Sequence, residues 1–193
     1  MEATGVAVVT GASRGIGRAV AVPLADAGFD VIATMRDPAA GATLAEESSG
    51  RISIARLDVT QPESFEMPRG LRVLVNNGGI DDDRRPIEHA RLDHWHRVFE
   101  TNLFGLVSVT ARAVPRLRES GGGVIANVTS SSLLPPCPFM GAYRASKAAV
   151  SAFGETLQAE VAQFGIMPST PEHGRNAPRQ ADGAFDRQVD RGD

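Results

Sequence analysis

The chain has almost no cysteine, no excess of either charge and no long apolar run. Its single cysteine, Cys137, rules out an internal disulfide framework and fits a reducing, cytoplasmic setting. With 20 basic against 23 acidic residues the formal charge is -3, which gives no basis for nucleic acid or an anionic membrane as partner. No stretch is apolar for long enough to span a bilayer. Glu2, followed by a short apolar run, is unlike the basic start of a signal peptide. His89, His94 and His96 stand five and two residues apart. Those spacings do not gather imidazoles on one helix face, so no metal is expected.

What is present suits one globular domain: 193 residues, 42% hydrophobic and 22% charged. Short β-branched runs at 6–10, 31–34, 52–57, 71–75 and 124–128 read as strands. Helical patterns lie between them, including 39–48, a short helix bracketed by Pro62 and Pro68, and a long one over 92–117. Pro23 falls inside the first helical pattern, where it is expected to kink or shorten the helix. Strands alternating with helices predict a doubly wound parallel sheet, helices on both faces, with ligand at the strands' carboxyl ends.

The first strand breaks into Gly11-Ala12-Ser13-Arg14-Gly15-Ile16-Gly17 before a helix begins. Glycines let the backbone approach a diphosphate, and the helix start offers unpaired N–H groups to it. The end of the second strand decides which nucleotide fits. A carboxylate there suits the ribose hydroxyl of NAD, whereas positive charge suits the 2'-phosphate of NADP. This chain has Met35-Arg36, with Arg14 in the glycine turn, so NADP is favoured. Arg36 has a second reading as a surface residue paired to Asp37. Asp58 could take an adenine amino group or simply shape a turn.

Tyr143 and Lys147, four residues apart at the head of a helical run, stand on one helix face. An ammonium beside a phenol favours the phenolate, which a proton donor and acceptor near neutrality requires. Asn102 is a polar residue within an apolar helical pattern, suited to a hydrogen-bond network or a water relay.

Taken together, T-G-A-S-R-G-I-G, Asp58-Val59, N-N-G-G, Asn102, the Thr129-Ser130-Ser131-Ser132 segment and Tyr143 with Lys147 resemble the short-chain dehydrogenase/reductase family, in its TGxxxGIG/YxxxK subgroup. The resemblance implies a Rossmann-type fold and hydride transfer between NADP(H) and a small carbonyl or alcohol. It implies that Tyr143 is the acid/base and that Lys147 is its partner and a ribose ligand. Ser130 would orient the carbonyl, and Asn102 would hold a relay water. Gly11, Ser13, Arg14, Gly15, Ile16 and Gly17 would form the diphosphate turn, Arg36 the 2'-phosphate contact, Asp58 and Val59 the adenine contacts, and Asn76 the ribose side. A homodimer or homotetramer is implied as well.

The resemblance runs from Val6 to about Ile166, within one domain expected over 1–166. Beyond it the family's next buried strand, nicotinamide-gripping turn, lid and last strand are not recognisable, and 167–193 has the composition of a disordered tail. The strand at 124–128 is therefore expected at a sheet edge. The competing expectation is a nucleotide-binding remnant without turnover.

Overall fold

Period-two burial begins with the first strand: Ala7 and Val9 enter one core cluster, and Val8 enters another on the opposite face. The computed structural model describes residues 4–47, 50–81, 83–133 and 137–169. In chain order these form β1 (Val6–Thr10), α1 (Gly15–Asp26), β2 (Asp30–Met35), α2 (Ala42–Glu46), β3 (Ile52–Arg56), β4 (Leu71–Asn76), α3 (Leu92–Phe99), α4 (Leu106–Glu119), β5 (Gly123–Asn127), α5 (Gly141–Val161) and β6 (Ile166–Ser169). The strands make one sheet in the order β3-β2-β1-β4-β5-β6, with every pairing parallel. Ala21 and Ala25 of α1 and Leu44 of α2 cover one face. Val109, Ala113 and Leu117 of α4, with Leu157 and Val161 of α5, cover the other. This is the doubly wound, Rossmann-type sheet that the alternating pattern predicts.

Two helical expectations are refined. The long helix over 92–117 is broken in register: α3 and α4 are joined by a π-helical segment, Glu100–Gly105. Such wide turns shift the side chains that follow and recur at functional sites. Here the segment contains Asn102, which is fully buried. Pro23 does not end α1, which continues to Asp26.

The edge expected at 124–128 is corrected. β6 pairs with β5 from Gly123↔Ile166 to Ala126↔Ser169, so β5 lies inside the sheet and β6 borders it. Four residues that include Pro168 carry little local strand signal. Proline is tolerated on a sheet border, where one row of donors is unused. Ile166, only 1% exposed, anchors the strand in the core. The tail expected from residue 167 thus begins as strand, and from residue 170 onward it lies outside the described residues.

The approach of β6 depends on Gly122. Its φ is +102°, and a Cβ there would stand 2.3 Å from the carbonyl oxygen of Gly165. The neighbouring Gly123 N–H donates to that same oxygen at 3.1 Å. We predict that Gly122→Ala lowers unfolding free energy by roughly 2–3 kcal/mol, as overpacking against backbone does, and speeds amide exchange across Ile166–Ser169. Denaturant titration with hydrogen-exchange mass spectrometry checks both effects.

Candidate active site

Strand order reverses between β1 and β4, and loops leaving the strand ends there leave a crevice. A cleft of about 460 Å³ occupies it. Gly11, Ser13, Arg14 and Gly15 come to it from β1, Met35 and Arg36 from β2, Asp58 and Val59 from β3, and Asn77 to Ile80 from β4. A Cβ on Gly15, whose φ is +58°, would meet nothing within 4 Å, so the turn before α1 opens onto space. Arg14 stands at the N-cap of α1 without a side-chain cap bond, which leaves the helix start to an external acceptor. Ile16 is exposed at the same end.

Thr10 and Asn77 hold this turn. The Thr10 hydroxyl accepts the N–H groups of Asn77 and Gly78, both at 3.0 Å, and donates to Val75 O. The Asn77 amide donates to the carbonyls of Thr10 and Gly11, each at 3.0 Å. Gly17 makes that packing possible, because its Cβ would lie 2.5 Å from Asn77 Nδ2.

Assignment of Asn76 to the ribose side is corrected. Asn76 still belongs to β4, is 3% exposed, and donates to Thr110 Oγ1 and Asn127 Oδ1 at 2.9 Å each. Side chains alternate along a strand, so the cleft is met one residue later, by Asn77. The doubled asparagine pointed to the place without distinguishing its two members. Asp58 serves as a turn residue, its Oδ1 taking the Thr60 N–H at 3.0 Å and the Thr60 hydroxyl at 2.8 Å, and it also lines the cleft. Asp37 accepts from Ala39 N–H at 3.1 Å, while Arg36 is exposed and lines the cleft. Thr60, Arg97 and Thr101 line it too, with no motif to announce them.

The remaining predicted residues gather where α5 meets the end of β5. Lys147 is 4% exposed, and its Nζ donates to Val128 O at 2.7 Å, just before Thr129-Ser130. That Nζ lies 5.9 Å from the centre of the Tyr143 ring, and Tyr143 is half-buried. Asn102 grips both backbone groups of Ile80, accepting at 2.8 Å and donating at 3.0 Å, and also donates to Ser146 Oγ at 3.1 Å. Ser146 in turn donates to Tyr143 O. Gly79 joins this cluster to the cleft: it lines the cleft, and its Cβ position would be 3.1 Å from Asn102 Oδ1 and 3.7 Å from Lys147 Nζ. Burial lowers the Lys147 pKa from 10.5 to about 8.

A family model described as short chain dehydrogenase matches residues 5–170. The chain is 38% identical to an uncharacterized oxidoreductase, YusZ, of Bacillus subtilis strain 168, over 88% of this chain and 64% of that protein. It is 37% identical to sulfoacetaldehyde reductase 2 of Chromohalobacter salexigens, over 83% and 68%. It therefore spans about two thirds of the length of these relatives. Among solved structures, a metagenomic short-chain oxidoreductase in complex with NADP superposes with TM-score 0.80 at 27% identity, covering 86% of this chain and 80% of that one.

Two stability tests arise from this geometry. A Cβ on Gly78 would meet only ordinary contacts at 3.5 Å or more, and its φ is not positive. Gly78→Ala should therefore stabilise by about 0.4–1 kcal/mol, while Gly17→Ala should cost roughly 1–3 kcal/mol, both measured by denaturant unfolding. For Lys147, folded and unfolded chains are both protonated below pH 8, where the burial penalty is fully present. From pH 8 to 10.5 the unfolded chain binds more protons, so stability should rise, by up to about 3 kcal/mol. Unfolding curves across this window should show that rise, and Lys147→Met should remove it.

Proposed function

The chain belongs to the short-chain dehydrogenase family, and on that premise we propose that it is an NADP(H)-dependent oxidoreductase acting on a carbonyl or alcohol. The observation that carries the proposal is the Lys147 Nζ to Val128 O bond. It draws the Tyr143–Lys147 face of α5 against the strand end that leads into Ser130.

The residues of the cleft fit a dinucleotide. The open side of Gly15 and the uncapped start of α1 suit a diphosphate. Arg14 and Arg36 both line the cleft beside Met35, which supports a 2'-phosphate contact: two guanidinium groups are available to pair with it, and residue 35 carries no carboxylate to repel it. NADP in a solved relative supports the same preference. Asp58 and Val59 would flank the adenine, and Lys147 would hold the nicotinamide ribose. When bound, the nicotinamide supplies or accepts the hydride.

The chain's own residues then manage position and protons. Ser130 Oγ accepts the Ser132 N–H at 3.2 Å, which leaves the hydroxyl proton to donate to a substrate oxygen. Tyr143 would give that oxygen its proton in reduction and take it back in oxidation. Asn102 has its side chain engaged by Ile80 and Ser146, so a relay water would use its backbone carbonyl. The name of one relative, a sulfoacetaldehyde reductase, supports a small aldehyde as the first substrate to try.

Purified protein should oxidise NADPH with a member of an aldehyde and ketone panel. Tyr143→Phe should lose at least about a hundredfold in kcat, within the range of a general acid/base, while still binding NADPH by fluorescence titration. Undiminished turnover in that variant would reject Tyr143 as the proton donor. Arg36→Asp should weaken NADPH more than NADH, and equal weakening of the two would reject the 2'-phosphate contact.

A further inference from the structure

We infer that Arg144 is a positioning residue for Ser130, a role that rests on the oxidoreductase proposal above. Arg144 sits in the first turn of α5, where the positive end of the helix dipole opposes a guanidinium. Two carbonyls of the loop after β5 offset that repulsion. Arg144 Nε donates to Ser132 O at 2.8 Å, and Nη2 donates to Leu133 O at 3.2 Å.

The same two loop residues hold Ser130 through their amides. Ser132 N–H donates to Ser130 Oγ at 3.2 Å, and Leu133 N–H donates to Ser130 O at 3.2 Å. Arg144 therefore grips the residues that grip the serine. Lys147, one turn further along α5, binds Val128 O on the other side. Ser130 is thus held between two tethers from the helix that carries Tyr143, one before it in sequence and one after it.

This arrangement has a chemical use beyond fastening a loop. The Ser130 hydroxyl and the Tyr143 hydroxyl must meet the same substrate oxygen, and errors of about 1 Å in such placement cost on the order of a hundredfold in rate. A planar guanidinium spans two carbonyls with fixed geometry, whereas a lysine ammonium supplies a single mobile point of charge.

The test uses the full chain with Arg144→Ala, Arg144→Lys, Ser130→Ala and the Ser130→Ala/Arg144→Ala double variant. In Arg144→Ala, kcat should fall about 10- to 100-fold, NADPH affinity should stay within about twofold, and added methylguanidinium should restore part of the rate. Arg144→Lys should recover less than half of the loss. The double variant should be no slower than Ser130→Ala, because Arg144 acts through that hydroxyl. Losses that multiply in the double variant would overturn the inference.

Hydrogen exchange gives a readout independent of turnover: the Ser132 and Leu133 amides should exchange at least about tenfold faster in Arg144→Ala. Unchanged exchange there overturns the clamp whatever the kinetics. If Arg144→Ala fails to fold, Arg144→Gln takes its place with the same outcomes. A wild-type chain that binds NADPH but reduces no carbonyl would refute the oxidoreductase proposal, and the exchange comparison would still decide the clamp.

Discussion

The arrangement depends on one hydrogen bond, from the ammonium of the buried Lys147 to the carbonyl of the half-buried Val128. Burying an ammonium is costly unless it is paired or hydrogen-bonded, and the lowered pKa of Lys147 records that cost. In return the bond ties α5 to β5 where the sheet ends, and Val128 N–H is itself held by Asn76 O at 2.9 Å. A helix and two adjacent strand ends are thereby locked together behind Ser130 and Tyr143. Hydroxyls on a loop and a helix otherwise have no reason to keep a common distance.

Close backbone approach is the second constraint, and glycine makes it possible. Gly105 lets the π-helical segment sit against the loop after β3, since a Cβ there would lie 2.8 Å from Val59 O. That contact sets the depth of the segment from which Asn102 reaches Ile80, and so connects the cleft with the Tyr143 cluster. Gly17 plays the equivalent part at the glycine turn, beneath the Asn77 amide. Cleft and cluster are shaped by where side chains are missing as much as by the residues that line them.

Much of the fold could be read from local pattern, because parallel strands buried on both faces leave near-continuous apolar runs such as 71–75. What escaped was weak in local signal. Ile166–Ser169 is short and contains a proline, and becomes a strand through its pairing with β5. The site divided in the same way. The place of Arg14 in the glycine turn and the nearness of Tyr143 to Lys147 were legible because a turn and a four-residue spacing fix local geometry, whereas Arg36 reaches the same cleft as Arg14 through the pairing of β2 with β1. Asn76 and Asn77 were not separable, since the strand's last residue is defined by its partner in register, Asn127.

By itself, then, the sequence determined the alternation of strands and helices, the glycine turn and the pairing of Tyr143 with Lys147, all consequences of backbone geometry over a few residues. The tertiary structure alone decided which asparagine faces the cleft, that β5 is interior, and that Arg144 and Lys147 hold opposite sides of Ser130. Those outcomes depend on contacts between residues distant along the chain, such as the 19-residue separation between Lys147 and Val128, and no local pattern encodes the meeting of their atoms.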